Sequence, residues 1–329
     1  MNLPFIFSIK KEGVHKIITV CGIKIKIKDT GKEIQRLTKG YKRLVSYAEQ
    51  MKMALDSCCD ITKCPKAKGK LRKIQTVMSK ALKIVIKILD ENDIKYWLDF
   101  GTCLGAYRHK GFIPWDYDID ISMDRPNYIK AQKILPEKLK GLPFKLVIGE
   151  KGKPVFMKIA INSHLVIDIF PYDFANCNCS LDDAGNMWLK SRDDYNAKFP
   201  LKKFWKKKYK VEETYEDMFE MYKKAGLDDR QSKDYTFIFR GIDSSALNAT
   251  INFHPYNEVY PLKKIQFEDF EAWAPKTPEQ YLTRCDSGHY GDIMKFPPIS
   301  AINVYNTDKL ISDAKLQEVE EELNRYLGV

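Results

Sequence analysis

The chain has 329 residues, of which 44% are hydrophobic and 12% aromatic. This composition is sufficient for a large buried core and argues against an intrinsically disordered protein. The formal net charge of +11 favours an anionic partner such as a nucleotide, an acidic glycan, a nucleic acid or a membrane surface. We find no run of about 18 apolar residues and no basic segment followed by an apolar one at the N-terminus, so we expect neither a membrane span nor a secretion signal.

The cysteines do not form a recognisable metal motif. Cys58, Cys59 and Cys64 lie in one cluster, and Cys177 and Cys179 lie in another. A structural zinc site usually supplies paired ligands two to four residues apart in each of two clusters, and neither cluster here has that form cleanly. We therefore interpret the cysteines as reduced thiols of a cytoplasmic protein, with a zinc site as the weaker alternative.

The first predicted elements are a small β hairpin and two helices. In residues 23–28 isoleucine alternates with lysine, which is the period of a half-exposed strand. Helical periodicity follows at residues 34–53 and 71–89. The segment "CPKAKGK" between the two helices contains Pro and Gly and indicates a loop.

Strands, turns and shorter helices alternate after the second helix. We predict strands in "YWLDF", "IDISM", "KLVIG" and "HLVIDIF", and a helix near residues 128–139. Further along, residues 202–210 carry six lysines interleaved with aromatic side chains. Such a run can stack on nucleic acid or form a solvated lysine face. Because it is short and lies in no recognisable nucleic-acid module, we expect no nucleic-acid partner and favour an anionic glycan or phospholipid surface.

The stretch "WDYDIDI" carries aspartates at alternate positions, Asp116, Asp118 and Asp120. On a strand these carboxylates would share one face and repel one another, so we expect a cation among them. Alternating aspartates can also be the solvated face of an edge strand. The isoleucines at positions 119 and 121 on the opposite face and the apolar surroundings argue against that alternative.

A second candidate feature precedes these aspartates. Residues 96–100 read as a strand, Gly101 and Thr102 as the turn after it, and Thr102 as the cap of a helix that begins near Cys103. The start of such a helix offers backbone N–H groups and the positive end of a dipole to a phosphate. A glycine and a threonine after a strand are also common turn chemistry. The two features together are more specific than either alone.

The segment that contains these two features resembles a known family. The segment "LDFGTCLGAYRHKGFIPWDYDIDI" resembles the signature of the LicD family, which includes bacterial phosphocholine transferases and fukutin-type ribitol-phosphate transferases. The resemblance continues in "VIDIFPYD" and, more loosely, in "YPLKKIQFEDFEAWAPKTPEQYL" and "YGDIMKFPP". It implies the nucleotidyltransferase fold of the DNA polymerase beta type: a mixed α+β or α/β architecture with a mixed sheet flanked by helices. The chain differs from the family signature in two places. Tyr117 stands where the family usually has another aspartate, and the segment that precedes Tyr290 is longer than usual.

The resemblance also implies a metal site and a phosphate site. The resemblance implies that Asp118, Asp120 and Asp168 are the catalytic carboxylates. The same three residues and Asp116 would be the ligands of Mg²⁺. Mn²⁺ is the alternative metal. We expect the remaining candidate residues to contact the nucleotide and its phosphates: Gly101, Thr102, Arg108 and Lys158. For Arg108 the alternative is a salt bridge to the aspartates, and for Lys158 it is a surface position. His109 is interpreted as structural.

These expectations define a reaction. The chain would move a phosphorylated small alcohol from a CDP-linked donor to a hydroxyl of a cell-surface glycan. The resemblance favours phosphocholine as the group transferred and CDP-choline as its donor. One alternative is a nucleotidyltransferase that makes a nucleotide-linked product from an NTP. Another, from a different class, is a noncatalytic glycan-binding or scaffold subunit; the retained carboxylates argue against it, because a binding module has no need to gather them.

The domain organisation completes the prediction. We expect an N-terminal β module at residues 1–30, a helical segment at 31–92, the catalytic domain at 93–300 and a C-terminal helix at 301–329. The opening residues "FIFSIKKEGVHKIITVCGIKIKIK" also resemble a leader module of bacterial enzymes that build surface polysaccharides such as lipopolysaccharide or capsule. This similarity suggests a cytoplasmic protein with a partner-docking or peripheral contact at the inner face of the membrane.

Overall fold

A computed structural model describes most of the chain, in two compact units. The described residues are 7–12, 15–20, 23–28, 31–148, 156–199, 214–227, 235–244, 252–285, 291–297 and 306–329. One unit comprises those within residues 1–63 and 294–304, and the other those within residues 64–293 and 305–329. The lysine-rich segment 202–210 and Tyr290 lie outside the described residues. The domain boundaries expected from the sequence stay a prediction.

The secondary structure mixes helices and strands along the whole chain. The strands are β1 (Phe7–Glu12), β2 (His15–Val20), β3 (Ile23–Lys28), β4 (Trp97–Leu98), β5 (Ile119–Asp124), β6 (Lys145–Ile148), β7 (Met157–Ala160), β8 (Val166–Ala175), β9 (Phe237–Arg240), β10 (Phe253–Pro255), β11 (Lys263–Phe267) and β12 (Phe270–Ala274). The helices are α1 (Gly31–Cys58), α2 (Gly69–Glu91), α3 (Phe100–His109), α4 (Arg125–Lys138), α5 (Leu181–Lys198), α6 (Tyr215–Ala225), α7 (Tyr256–Val259), α8 (Pro278–Arg284), α9 (Thr307–Leu310) and α10 (Asp313–Leu327).

The first unit contains a small antiparallel sheet and one long helix. Strands β1, β2 and β3 pair in sequence order, so the predicted N-terminal hairpin is confirmed and extended by one strand. Helix α1 runs five residues beyond its predicted end. Its Asp56 carboxylate accepts a hydrogen bond from the backbone N–H of Phe296 at 2.9 Å, which fixes residues 294–297 within this unit.

The second unit is built on a mixed sheet, which confirms the predicted α+β class. Its strand order is β10-β9-β8-β5-β4. Strand β8 pairs in parallel with β5 along one edge. Along its other edge β8 pairs antiparallel with two strands: β7 pairs with its first half and β9 with its second half. Strand β6 pairs with β7 only, so it lies at an edge of the described sheet. A separate two-stranded sheet is formed by β11 and β12.

The two faces of this sheet differ in chemistry because side chains alternate along each strand. One face is apolar: Ile119, Ile121, Ile167, Ile169 and Ile159 are almost completely buried in the main core. Helix α4 contacts β5 and β8, and α10 packs against α2 in the same core. The opposite face carries Asp120 and Asp168, so the alternation predicted from "IDISM" and "HLVIDIF" places the carboxylates away from the core.

Two sequence-level expectations concern the whole described chain. Among the described residues, no helix is both long and apolar enough to cross a bilayer. The described cysteines form no disulfide with one another. They also form no group of three with His, Asp or Glu that could hold a metal in the described ranges.

Candidate active site

The register of three strands places a lysine and two aspartates in one row. Asp120 of β5 lies directly opposite Asp168 of the parallel strand β8. Asp168 in turn lies opposite Lys158 of the antiparallel strand β7. Residues opposite one another on neighbouring strands point to the same face. The Lys158 ammonium donates to both Asp168 carboxylate oxygens, at 2.7 and 3.0 Å. The sequence alone left it open whether Lys158 faces this site, and the structure places it there.

The other two aspartates lie in the loop before β5 and not on the strand, which corrects the expectation from their spacing. The strand begins only at Ile119. Asp116 closes a turn, because its Oδ1 accepts hydrogen bonds from the N–H groups of Tyr117 and Asp118 at 2.8 and 3.3 Å. This local bonding competes with the extended backbone. The carboxylates still converge on the face that carries Asp168.

The electrostatics show how closely the carboxylates gather. Burial raises the pKa of Asp120 well above its usual range, and the charges of Asp168, Asp118, Asp99 and Asp116 raise it further. Partial desolvation and the negative charges of Asp116 and Asp168 raise the pKa of Asp118 to about 7. The positive charge of Lys158 lowers this pKa. The pKa of Asp168 is raised by burial and lowered by its contact with Lys158. A cation bound here would relieve this repulsion.

This donor set fits a hard divalent cation. Asp116, Asp118, Asp120 and Asp168 offer only carboxylate oxygens, which Mg²⁺ and Mn²⁺ prefer. As the side chains stand in the described part of the chain, no group of three or more His, Cys, Asp or Glu residues is arranged to hold a metal ion. Lys158 instead supplies one positive charge to Asp168. The four aspartates are therefore the residues that could hold a metal, after small movements of their side chains.

Helix α3 forms one wall of the site, but it begins earlier than its sequence suggested. The strand in "YWLDF" is only Trp97–Leu98, and Asp99 is the N-cap, so the helix starts at Phe100 and not near Cys103. Gly101 then lies in the first turn, where backbone N–H groups have no acceptor within the helix. A Cβ on Gly101 would lie 3.3 Å from Oδ2 of Asp116. The glycine thus allows the helix start and the aspartate loop to approach closely.

Thr102 is not the helix cap, and its hydroxyl has another partner. The Thr102 Oγ1 accepts a hydrogen bond from the Asp120 N–H at 2.9 Å and donates to the Asp118 carbonyl at 3.4 Å. From α2, the side-chain amide of Gln75 donates to the Asp116 carbonyl at 2.7 Å. Thr102 therefore holds the aspartate loop against α3. Its contact with a phosphate stays a prediction.

A buried aspartate that sequence analysis did not single out supports this wall. Asp99 Oδ1 accepts hydrogen bonds from the Phe100 N–H at 2.7 Å and from the Tyr281 hydroxyl at 2.8 Å. Its Oδ2 accepts from the hydroxyls of Ser122 and Tyr172. Burial raises the pKa of this carboxyl, and the four hydrogen bonds act in the opposite direction. The only sequence signal was an aspartate directly before the helix start, where caps are common.

The hydrogen bonds of Arg108 go to a backbone carbonyl and to its neighbour His109. Its guanidinium donates to the Ile293 carbonyl at 2.7 Å and to Nε2 of His109 at 3.0 Å. Burial lowers the pKa of Arg108 to about 10. Within the described ranges it forms no salt bridge with an aspartate, so that alternative is not supported. Its phosphate contact stays a prediction, and the structural interpretation of His109 agrees with this packing.

A different arginine lies near Asp168. Arg240, at the end of β9, is opposite Tyr172 of β8 and stacks over the Phe170 ring at 4.3 Å. It donates to the hydroxyl and carbonyl of Ser244 at 3.3 and 3.2 Å. Its charge lowers the pKa of Asp168. Sequence reasoning missed Arg240 because its approach depends on the pairing of β8 with β9, which no motif reports.

Comparisons with known proteins show which family part of this chain resembles. Residues 93–204 match the family model described as "LicD/FKTN/FKRP, nucleotidyltransferase domain". This match covers less than half of the chain and supports the resemblance to the LicD family that the signature indicated. The matched segment contains every site residue predicted from the sequence, whereas Arg240 lies outside it.

Several curated relatives are similar to parts of this chain. The chain is 32% identical over 125 residues to mouse ribitol 5-phosphate transferase FKRP, covering 35% of this chain and 23% of that protein. It is 47% identical over 58 residues to the lipopolysaccharide cholinephosphotransferase LicD of Haemophilus influenzae, covering 18% and 22%. An uncharacterized protein of Rickettsia typhi, RT0683, is 35% identical over 97 residues, covering 27% and 31%. The chain thus spans less than a third of the length of each relative.

Proposed function

We propose that this chain is a Mg²⁺-dependent transferase that moves a phosphorylated small alcohol from a CDP-linked donor to a hydroxyl of a cell-surface glycan. The observation that carries the proposal is the row of Asp120, Asp168 and Lys158, with Asp116 and Asp118 gathered between it and the start of α3. Such a site combines carboxylates for a metal with a helix start for phosphates.

The reacting groups can be assigned to residues. The first turn of α3, at Gly101 and Thr102, would bind the diphosphate of the donor. The four aspartates would hold the cation, which neutralises charge on the phosphate oxygens when bound. Asp168, whose pKa burial raises, is suited to accept the proton of the attacking hydroxyl. The hydroxyl oxygen forms a bond to the phosphorus that carries the alcohol, the bond from this phosphorus to the bridging oxygen breaks, and CMP leaves with the electron pair.

The names of the relatives support the class of group transferred. One is a cholinephosphotransferase and others are ribitol 5-phosphate transferases, so both names describe a phosphorylated alcohol. We favour phosphocholine from CDP-choline. The relative named for lipopolysaccharide also supports a role in bacterial lipopolysaccharide or capsule synthesis. We extend the proposal to a cytoplasmic location with peripheral contact at the inner membrane face.

The nucleotide product tests this proposal. We expect purified protein with Mg²⁺ and a bacterial surface-glycan extract to release CMP from CDP-choline, or from CDP-ethanolamine, CDP-glycerol or CDP-ribitol, without pyrophosphate. Mass spectrometry of the nucleotides would measure this. Pyrophosphate release from CTP with a sugar phosphate would instead establish the second candidate, nucleotidyl transfer, which the family description favours. If neither reaction occurs, the noncatalytic glycan-binding reading gains support.

A further inference from the structure

Helix α1 exposes a row of apolar side chains along one face. Leu44, Tyr47 and Met51 are 61%, 61% and 59% exposed, which is high for side chains of this size. Their spacings of three and four residues place them on the same face of the helix. Ala54 and Cys58 are also exposed and continue this face towards the end of the helix. We call these five residues the α1 stripe.

The α1 stripe is not the face by which the helix packs in its own unit. The partly buried apolar residues follow another face with the same helical spacing: Ile34, Leu37, Tyr41, Val45, Ala48 and Leu55. The described residues leave the stripe open to solvent. Single exposed apolar residues are common on protein surfaces, whereas a contiguous row of them indicates an interaction site.

Basic side chains flank the stripe. Arg36, Lys39 and Arg43 are exposed, and Arg43 precedes Tyr47 by one helical turn. None of the three has a carboxylate partner among the described residues. The sequence of this unit, residues 1–63 and 294–304, contains 14 Lys and Arg against six Asp and Glu. It therefore carries most of the formal net charge of +11.

This combination of apolar and positive groups indicates the chemistry of the partner. An anionic bilayer offers an apolar layer to Leu44 and Met51 and acidic headgroups to the flanking arginines. Tyrosine is favoured at the level of the headgroups, which suits Tyr47. A second copy of the unit would bring the same positive charge and be repelled.

We propose that the α1 stripe docks onto the surface of an anionic phospholipid bilayer. The stripe would form the peripheral membrane contact proposed above, so the inference rests on that part of the proposed function. Its test measures binding to lipid without any donor or acceptor and is independent of catalysis.

Vesicle sedimentation with the full chain tests this proposal. The probes are vesicles of phosphatidylcholine alone and vesicles of phosphatidylcholine with an equal amount of phosphatidylglycerol, at about 0.15 M NaCl. We expect the protein to bind the anionic vesicles about tenfold or more tightly than the neutral ones. Raising the salt to about 1 M should weaken this binding, because the screening length falls to about 3 Å.

Matched variants localise the apolar contact. Met51→Asp should weaken binding to anionic vesicles by about tenfold or more, because it places a carboxylate in the apolar row. Met53 is 68% exposed on the same helix but lies about 200° further around the helix axis. Met53→Asp makes the same change in charge and should bind like the wild type. Leu44→Asp is a second test of the stripe if the Met51→Asp protein does not fold.

A second pair of variants tests the basic flank. Arg43→Glu should weaken binding to anionic vesicles by about tenfold or more. Lys42→Glu reverses a charge at the neighbouring exposed position, on the side of the helix away from the stripe, and should weaken binding by less than about threefold. Because these side chains are exposed, the variants should melt at the wild-type temperature by circular dichroism.

Three results would overturn the proposal. The first is equal binding of the two vesicle types. The second is equal binding by the members of either matched pair. The third is a dimer in analytical ultracentrifugation that Met51→Asp dissociates, in a protein that binds no vesicles, since this would assign the stripe to a second copy of the chain.

The outcome separates this inference from the transferase proposal. CMP release by a protein that binds no vesicles would reject the α1 stripe as a membrane contact and leave the transferase reading in place. Vesicle binding that depends on Met51, in a protein that releases no CMP, would reject the transferase reading and keep the membrane surface.

Discussion

Asp120→Asn should reduce CMP release by about a thousandfold or more while preserving the fold. The asparagine is nearly isosteric, and the backbone N–H of residue 120 would keep its hydrogen bond to Thr102. The substitution removes a carboxylate that lies opposite Asp168 at the centre of the proposed metal site. It also removes repulsion, because the raised pKa of Asp120 means that its ionisation opposes folding at neutral pH.

The same reasoning gives a readout that a damaged fold would not show. Without metal at pH 7, the Asp120→Asn protein should melt at the wild-type temperature or above it. Asp182→Asn, at an exposed position in the first turn of α5, is the matched control and should keep full turnover. Near-wild-type CMP release by a folded Asp120→Asn variant would show that Asp120 does not hold an essential cation.

Arg125→Met should produce the largest loss of stability. The Arg125 guanidinium is buried and binds two carboxylates, with Nε and Nη2 on Asp173 at 2.7 and 2.8 Å and Nη1 on Asp243 at 2.8 Å. Asp173 also accepts a hydrogen bond from Tyr222 of α6. Removing the cation leaves two buried carboxylates without their counter-charge, which typically costs about 3–5 kcal/mol. We expect the free energy of unfolding to fall by at least this amount.

Urea denaturation followed by circular dichroism would measure the change. Arg36→Met replaces an exposed arginine of α1 and should shift the midpoint little. If the Arg125→Met protein is too unstable to purify, a milder Asp243→Asn change should still lower the midpoint. An unchanged midpoint in both variants would contradict a structural role for this ion cluster.

Local patterns were sufficient to predict part of this site. The alternation in "HLVIDIF" placed Asp168 on the face opposite the isoleucines. Gly101 was predicted to lie in the turn after a strand, and the structure instead places it in the first turn of α3. The prediction that Asp116 and Asp118 lie on a strand was wrong. The Asp116 carboxylate accepts hydrogen bonds from the two following N–H groups, so the chain turns before β5 begins. Short polar side chains that cap their own turn override strand periodicity.

Long-range contacts account for what the sequence did not reveal. Asp99 is held by Tyr172 and Tyr281, which are 73 and 182 residues away along the chain. Arg240 reaches the site only because β9 pairs with β8. For Lys158 the register of β7 with β8 decided between a site position and a surface position. Registers and tyrosine contacts of this kind follow from tertiary packing, so residue spacing alone cannot report them.

We propose that the four aspartates hold a divalent cation at which the phosphorylated alcohol would be transferred. Anomalous X-ray scattering from crystals soaked with Mn²⁺ and CMP tests this claim most directly. We predict a manganese peak coordinated by Asp116, Asp118, Asp120 and Asp168, with the Lys158 ammonium displaced from Asp168, and no such peak in Asp120→Asn crystals. A peak elsewhere, or none while Lys158 still binds Asp168, would contradict the account.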